Sequence, residues 1–255
     1  MKKILLTAII LILFSSCQKI DKTKETIVIK KTEIQNKKVI EKIIEDNTTK
    51  IITNNSTPFN KEETTEKEPP KKAFIEADFI CQAPLQTEAN WVFHEESCEE
   101  AALLQTYNFE KDLKMTKSEA NTEILKMIDW QIDNFNGHHD IYADKIKEMA
   151  IKFYSLKDTD IKIIYDAEIS DIKKIIASGH PVIAPVTSKY LKNPYYPHPG
   201  YHMLQVIGYD ENNIITNDNG TRKGANYPYK IEVFDEALKD AGADILYLDI
   251  KKAPY

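Results

Sequence analysis

The sequence contains very little cysteine and arginine for its 255 residues. Its three cysteines, Cys17, Cys81 and Cys98, lie far apart, so the paired spacing of a structural zinc site is missing. Arg222 is the only arginine, beside 33 lysines. The apolar run Ile4–Phe14 is too short to span a bilayer. These absences argue against a zinc-binding protein and against an ordinary membrane-spanning anchor.

The N-terminus has the pattern of an export signal. Lys2 and Lys3 supply a positive start before the apolar run, and residues 13–17 read Leu-Phe-Ser-Ser-Cys. Small residues before a cysteine resemble a bacterial lipobox, in which the cysteine is lipidated after cleavage. We therefore predict a lipoprotein-type signal peptide over residues 1–17. The protein would then be exported and anchored to a membrane by Cys17, on the cell surface or the periplasmic side. A plain signal peptide is the alternative.

Composition divides the rest of the chain into a tether and a domain. Residues 18–72 contain no glycine, one aromatic residue and many Lys, Glu, Thr and Asn, which is typical of a disordered tether. Residues 73–255 are long enough to bury a hydrophobic core. Residues 1–72 carry 15 lysines and 10 acidic residues, so the net charge of −6 leaves about −11 for residues 73–255. A domain this acidic is unsuited to binding nucleic acid phosphates.

Within residues 73–255, helical patterns come first and strand patterns second. Helices are predicted at Cys98–Tyr107, Thr116–Phe135, Asp140–Tyr154, a short segment from Ser170 that Gly179 ends, and near Phe234–Asp240. Strands are predicted at Ala73–Ile80, Ile161–Tyr165, Pro181–Val186, His202–Tyr209, Asn213–Thr216, Tyr227–Val233 and Ile245–Ile250, with a loop over Gln82–Ser97. This order predicts an α+β fold, in which N-terminal helices pack on a mostly antiparallel sheet.

Cys98 begins a predicted helix, and this position suits a reactive thiol. Ser97-Cys98-Glu99-Glu100 has the form of a capping box, with Ser97 as N-cap and Glu100 as third residue. The unpaired N–H groups and the helix dipole favour an anionic sulfur there, so we predict a lowered pKa for the Cys98 thiol. The alternatives are a buried core cysteine, or a disulfide with Cys81, which is otherwise predicted to be a buried structural thiol.

His202 and Asp218 follow at the edges of predicted strands and complete a set of groups for nucleophilic catalysis. A cysteine nucleophile needs a base that takes its proton and a polar group that orients the base. The separation of 16 positions between His202 and Asp218 leaves room for a strand, a turn and a return strand. Asn217 is the alternative orienting residue. Adjacent strand side chains point to opposite faces, so only one of the two can face the imidazole.

Five segments together resemble one known family. They are residues 79–98, Gly137–Tyr142, Pro181–Val186, Tyr201–Met203 with Gly208–Asp210, and Asn217–Arg222. This is the peptidase-like family related to the bacteriocin-processing, double-glycine leader peptidases, a branch of the papain-like cysteine peptidases. The resemblance implies a papain-like fold with Cys98 as nucleophile and His202 as base. It also implies Asp218 as the orienting acid and Gln82 as an N–H donor to the developing oxyanion. Two glutamates follow Cys98 where the family usually has Gly-Pro.

Several other polar residues are weaker candidates for function. His138, His139 and Asp140 offer two imidazoles and a carboxylate, but adjacent side chains diverge. We therefore predict no metal site, and we expect Asp140 to cap the following helix. His198 is an alternative base to His202, although it lies in a proline-rich loop that is expected to form one wall of the cleft.

Two residues are candidates for contacting the substrate. Trp91 lies close to Cys98 in the sequence and either bounds a substrate pocket or serves only in packing. Arg222 is isolated among lysines, and its planar five-donor group suits clamping a substrate carboxylate. A single arginine without a special role is the equal alternative.

The sequence as a whole predicts an exported, lipid-tethered cysteine hydrolase that cleaves peptide bonds by a Cys–His–Asp mechanism. No metal or organic cofactor is required. A peptide or protein is the expected substrate, and a membrane is the expected partner of the lipidated Cys17. One alternative is a catalytically idle surface module that binds a peptide or glycan in the same cleft. Another is a papain-like peptidoglycan amidase or acyl transferase.

Overall fold

The computed structural model describes residues 68–85, 87–196 and 198–250. The predicted signal peptide, Cys17 and residues 18–67 of the predicted tether lie outside these residues. The described residues belong to one compact unit. No helix in these three ranges is both long enough and apolar enough to cross a membrane.

The last residues of the predicted tether lie against the domain. The Pro70 carbonyl accepts a hydrogen bond from the Tyr209 hydroxyl at 2.9 Å. Lys71 Nζ lies 3.1 Å from a Glu211 carboxylate oxygen. The Lys71 pair is exposed and contributes little to stability, whereas Tyr209 is buried. The chain therefore joins the domain before the first strand begins.

The described residues form seven α-helices and seven strands. The helices are α1 (Glu88–Phe93), α2 (Cys98–Lys111), α3 (Lys117–Phe135), α4 (Ala143–Phe153), α5 (Ile169–Ala177), α6 (Ser188–Leu191) and α7 (Ile231–Asp240). The strands are β1 (Ala73–Phe74), β2 (Ile161–Ile164), β3 (Val182–Thr187), β4 (Tyr201–Tyr209), β5 (Asn213–Asn217), β6 (Tyr227–Lys230) and β7 (Ile245–Leu248). The predicted α+β class is confirmed.

The strands form one sheet in the order β2-β7-β3-β4-β5-β6, and β1 also pairs with β4. Every pairing is antiparallel. The two central strands, β3 and β4, are buried along almost their whole length. Because successive side chains point to opposite faces, Ile183 and Met203 enter one hydrophobic core, and Val182 and Leu204 enter the other. The sheet is therefore covered on both faces.

The long helix α2 lies at the centre of the larger core. Its residues Ala101, Ala102 and Leu104 are completely buried, together with Ile124 of α3 and Ile146 of α4. Helices α5 and α7 cover the opposite face of the sheet, where their side chains share a core with β3 and β4. Cys98 is thus held at the first residue of a helix that packs on the sheet beneath it.

The prediction of a capping box at Ser97 is wrong. A capping box forms instead at the start of the next helix, between Thr116 and Glu119. Ser97 occupies the N-cap position, but its ψ of 25° is not extended and its side chain makes no capping hydrogen bond. Glu100 instead accepts a hydrogen bond from Gln131 Nε2 at 2.8 Å. Thr116 has the extended ψ of 161°, and it exchanges reciprocal hydrogen bonds with Glu119.

Three further local predictions also need correction. The loop predicted over residues 82–97 contains helix α1, which Thr87 caps by accepting a hydrogen bond from Asn90 N at 2.9 Å. Helix α4 begins at Ala143, so Asp140 does not cap it. Helix α5 has its N-cap at Glu168 rather than at Ser170. Short helices with few apolar residues leave a weak periodic signal, and carboxylates compete for each cap.

We predict that removing the Thr116 cap destabilises the protein and that removing the Ser97 hydroxyl does not. Thr116→Ala should lower the free energy of unfolding by about 1 kcal/mol, because the Glu119 N–H loses its acceptor and the Glu119 carboxylate loses the Thr116 hydroxyl. Ser97→Ala should be neutral or slightly stabilising, because its hydroxyl is buried without a hydrogen bond among the described residues. Urea denaturation of the two variants measures this. An equal loss in both would contradict the assignment of the caps.

Candidate active site

Three of the predicted catalytic residues, Gln82, Cys98 and His202, line one groove of about 150 Å³. Cys98 is the first residue of α2, and His202 is the second residue of β4. Asp218 directly follows β5. The pairing of Asn217 with Gln205 places Asp218 toward the His202 end of the neighbouring strand. Helix α2 and the sheet therefore bring together groups that lie far apart in the sequence.

His202 and Asp218 form a buried hydrogen-bonded pair. His202 Nε2 lies 2.9 Å from Asp218 Oδ1. Asp218 is completely buried and His202 is 5% exposed. A carboxylate at Nε2 holds the proton on that nitrogen, which leaves Nδ1 as the basic atom of a neutral imidazole. The pair therefore has the geometry of an oriented general base.

A cage of donors surrounds the Asp218 carboxylate. The Tyr196 hydroxyl donates to Oδ1, and the Tyr229 hydroxyl donates to Oδ2 at 2.5 Å. Asn193 Nδ2 lies 3.2 Å from Oδ2. Burial favours a raised pKa for Asp218, but the hydrogen bonds from His202, Tyr196 and Tyr229 outweigh burial and hold the pKa below its usual value. Asp218 is therefore ionised.

Asn217 faces away from His202 and has a structural role. Its Nδ2 donates to the Ala77 carbonyl and to Gln205 Oε1, each at 3.1 Å. Its Oδ1 accepts a hydrogen bond from Asn226 N at 3.3 Å. The alternation expected along a strand is thus observed, and Asp218 is the residue of this pair that contacts the imidazole.

The Cys98 thiol is bonded to the carboxylate that follows it in sequence. Its Sγ donates to Glu99 Oε2 at 3.0 Å, and Glu99 Oε1 accepts from Ile141 N at 2.9 Å. Burial raises the pKa of the Cys98 thiol well above its usual value, and the Glu99 carboxylate raises it further. A hydrogen bond from the Met203 backbone acts in the opposite direction. The predicted lowered pKa is therefore wrong, because burial and Glu99 outweigh the helix dipole.

Gln82 is tied to the loop that carries α1. Its Nε2 donates to the carbonyls of His94 and Glu95, at 2.8 Å each. Both amide hydrogens are thus used. Exchanging the amide nitrogen and oxygen would place Oε1 against the two carbonyl oxygens, which is repulsive. The buried Oε1 has no hydrogen-bond partner among the described residues. The atom of Gln82 that remains available is an acceptor rather than the expected donor.

Trp91 and Arg222 meet in a second groove beside the first. This groove has a volume of about 480 Å³, and Glu88 and Lys223 also line it. Trp91 belongs to both grooves, as does Tyr195. The two predicted substrate-contacting residues therefore lie next to the Cys98 groove and next to each other.

The other candidates of the sequence take different places. Asp140 lines the Cys98 groove. His138 Nε2 lies 3.7 Å from Glu100 Oε1, whereas the His139 side chain is exposed to solvent. Within the described ranges, the group with metal-ligand spacing is Cys98, Glu99 and Asp140, whose ligand atoms lie within 4.8 Å of one another.

His198 and Cys81 occupy positions that argue for secondary roles. His198 also lines the Cys98 groove, but the carboxylate partner belongs to His202. Cys81 is buried and free, as is Cys98, so the alternative disulfide does not form. Burial also raises the pKa of the Cys81 thiol. Cys81 is therefore the structural thiol that the sequence predicts.

Comparison with known families identifies the family of this chain. Residues 75–243 match the model of the Peptidase_C39-like family. The chain belongs to the Peptidase_C39-like family. The predicted resemblance is thereby confirmed, and the matched segment includes Gln82, Cys98, His202 and Asp218. A search of curated proteins found no match for this chain.

Solved structures show the same fold as this member of the Peptidase_C39-like family. A Bacillus anthracis protein described as a C39-like peptidase is 14% identical, covers 72% of this chain and 100% of its own, and has a TM-score of 0.51. Xylellain, a cysteine protease from Xylella fastidiosa, is 12% identical, covers 72% of this chain and 87% of its own, and has a TM-score of 0.46. The first likeness shows a shared fold.

Sequence reasoning missed the three donors that hold Asp218. Tyr196 and Asn193 lie in the segment after α6, and Tyr229 lies on β6. Only the expectation that the loop around His198 forms a wall of the cleft pointed toward Tyr196. Nothing in the local sequence distinguishes Asn193 or Tyr229 from ordinary loop and strand residues, because each contact is made across the fold.

In this Peptidase_C39-like chain, Glu99 should control the reactivity of the Cys98 thiol. Glu99→Gln removes the carboxyl group whose charge and hydrogen bond raise the thiol pKa, so the pH profile of Cys98 alkylation should move to lower pH. Iodoacetamide labelling, read at each cysteine by peptide mass spectrometry, measures this shift. Cys81 in the same sample is the control, and its profile should stay in place. An unshifted Cys98 profile would mean that burial alone sets the pKa.

Proposed function

We propose that this protein is a cysteine peptidase that cleaves amide bonds with Cys98, His202 and Asp218. The observation that carries the proposal is the buried His202–Asp218 pair at 2.9 Å, in which His202 lines the same groove as Cys98. Membership of the Peptidase_C39-like family supports it. A thiol, an oriented imidazole and a caged carboxylate are the groups that nucleophilic amide cleavage requires.

In the proposed reaction, His202 removes the Cys98 proton through Nδ1 while Asp218 keeps the other ring nitrogen protonated. Sulfur then attacks the amide carbonyl, and the imidazolium returns its proton to the leaving amine. Ionised Asp218 stabilises the imidazolium during this step. Water completes the cycle by hydrolysing the thioester. Because the resting thiol is bonded to Glu99, substrate binding has to turn the sulfur toward the imidazole.

The oxyanion that forms in this reaction needs N–H donors. The Cys98 N–H belongs to the first turn of α2, whose N–H groups have no partner within the helix. Gln82 can contribute only if its Nε2 releases the His94 or the Glu95 carbonyl. We therefore assign the main donor role to the Cys98 N–H and a conditional one to Gln82.

A peptide is the proposed substrate, and the second groove offers it a further contact. Arg222 and Trp91 line that groove, so a carboxylate of the substrate can pair with the guanidinium while an apolar group packs on the indole. Because Trp91 lines both grooves, one extended peptide can reach Arg222 and Cys98 together.

Two observations favour a binding module without catalysis. The raised pKa of Cys98 and the occupied amide of Gln82 both reduce the chemistry available in the resting site. In that case the groove would bind a peptide without cleaving it. Hydrolysis of a mixed peptide library by the wild-type protein, absent in Cys98→Ala, separates the two functions.

We predict that Asp218 and Asn217 separate activity from stability. Asp218→Ala should lower kcat by roughly 10²-fold or more, because the imidazole loses its orienting carboxylate. Asn217→Ala should leave kcat nearly unchanged and should lower the free energy of unfolding, because a buried amide loses its hydrogen bonds. Peptide hydrolysis and urea denaturation of both variants measure the two effects. The reverse ranking of kcat would give the orienting role to Asn217.

We also propose that the protein is exported and held at a membrane by lipid on Cys17. The proposal rests on the N-terminal sequence, in which an apolar run ends in Ser-Ser-Cys. Cys17→Ala should move the protein from the membrane fraction to the soluble fraction of the cell. Cys81→Ala is the matched control and should remain in the membrane fraction. Unchanged partitioning of Cys17→Ala would contradict lipid anchoring.

A further inference from the structure

The groove around Cys98 carries an excess of negative charge. The carboxylates of Glu95, Glu96 and Asp140 line it beside the sulfur. Among the described residues that line it, none is a lysine or an arginine. Any ligand group that enters this groove therefore meets a strongly negative field.

The crowding of these carboxylates shows how poorly their charge is balanced. Burial, together with the charge and the hydrogen bond of the neighbouring Glu96 carboxylate, raises the pKa of Asp140 to about 6. The charges of His202 and His139 act in the opposite direction but do not cancel the effect. The other titratable groups that act on Asp140 or are acted on by it are Glu99, Cys98 and Tyr201. A cation in the groove would relieve this repulsion.

A second and independent feature of the groove is a buried hydrogen-bond acceptor that lacks a donor. Gln82 is 3% exposed and lines the groove, and its Oε1 accepts no hydrogen bond from the described residues. The amide cannot reverse, because Nε2 is held by two carbonyls. A buried acceptor without a partner carries a desolvation penalty that a ligand N–H would remove. The rings of Trp91 and Tyr195 lie on the same groove and favour a cation.

We propose that this groove selects peptides with a cationic group, a lysine or arginine side chain or a free N-terminal ammonium, beside the bond that is cleaved. Glu96 and Asp140 supply the charge, and Gln82 Oε1 accepts an N–H. This inference rests on the proposed function, because it names the substrate class of the same site. The oppositely charged second groove, with Arg222 and Lys223, would bind a different part of the same peptide.

The test compares two peptides that differ only at one lysine, which is free in one and Nε-acetylated in the other. For the wild-type protein, kcat/KM for the free-lysine peptide should exceed that for the acetylated peptide by about 10-fold or more, and the ratio should fall as salt is added. In the Glu96→Gln/Asp140→Asn double variant, the ratio should approach one. Glu88→Gln, which removes a carboxylate of the second groove, is the control and should keep the wild-type ratio.

The pH dependence of this ratio supplies a second readout. A carboxyl with a raised pKa is neutral below that pKa, so the preference for free lysine should be small at low pH and should grow as the pH rises through about 6. Using a ratio cancels the pH dependence of the catalytic steps, because both peptides meet the same catalytic groups. Asp140→Asn should flatten the curve. A flat ratio in the wild-type protein would overturn the role of Asp140.

The two proposals fail in different ways. If both peptides are cleaved at equal rates, the cationic selection is wrong and the peptidase function stands. If neither peptide is cleaved, fluorescence anisotropy with Cys98→Ala decides, because binding does not need the thiol. Tighter binding of the free-lysine peptide would then support the proposed selection of cationic peptides and contradict the proposed peptidase function. Equal or undetectable binding of the two peptides would overturn the selection as well.

Discussion

The buried negative charge of Asp218 is the constraint on which the site depends. A carboxylate removed from water is costly unless donors surround it. Here the donors come from separate parts of the fold, with His202 on β4, Tyr229 on β6, and Asn193 and Tyr196 after α6. Satisfying one charge therefore fixes the positions of the central strand, an outer strand and a wall of the groove. The orientation of the imidazole is a consequence of the same contacts.

The carboxylates of the site have opposite environments, and this difference separates their roles. Asp218 has many donors and a lowered pKa, whereas burial and neighbouring acids raise the pKa values of Glu99 and Asp140. Environments that push the pKa values of nearby groups apart are a general feature of acid–base sites. One consequence of this arrangement is a raised pKa for the Cys98 thiol. Reactivity then depends on the approach of His202 and on the entry of a substrate that displaces water.

The sequence predicted features that local rules determine and missed those that depend on distant contacts. The order of helices and strands followed from periodicity, and alternation along a strand required that only one of Asn217 and Asp218 face His202. The family resemblance favoured Asp218. The prediction of a capping box at Ser97 was wrong because the Glu100 carboxylate accepts a hydrogen bond from Gln131, on another helix, instead of from the backbone of Ser97. The prediction of a lowered thiol pKa was wrong for a similar reason, since the burial of Cys98 depends on residues that are distant in the sequence. The family resemblance supplied the candidate residues, but the hydrogen bonds of Gln82 required the structure.

The central claim is that Cys98 is a nucleophile activated by the His202–Asp218 pair. Intact mass spectrometry after incubation with a peptide vinyl sulfone, which a thiolate converts to a stable thioether, followed by peptide mapping, tests it most directly. The account predicts one adduct, on Cys98, that is strongly reduced in His202→Ala and persists in Cys81→Ala. No adduct on Cys98, or an adduct that forms equally in His202→Ala, would contradict the account.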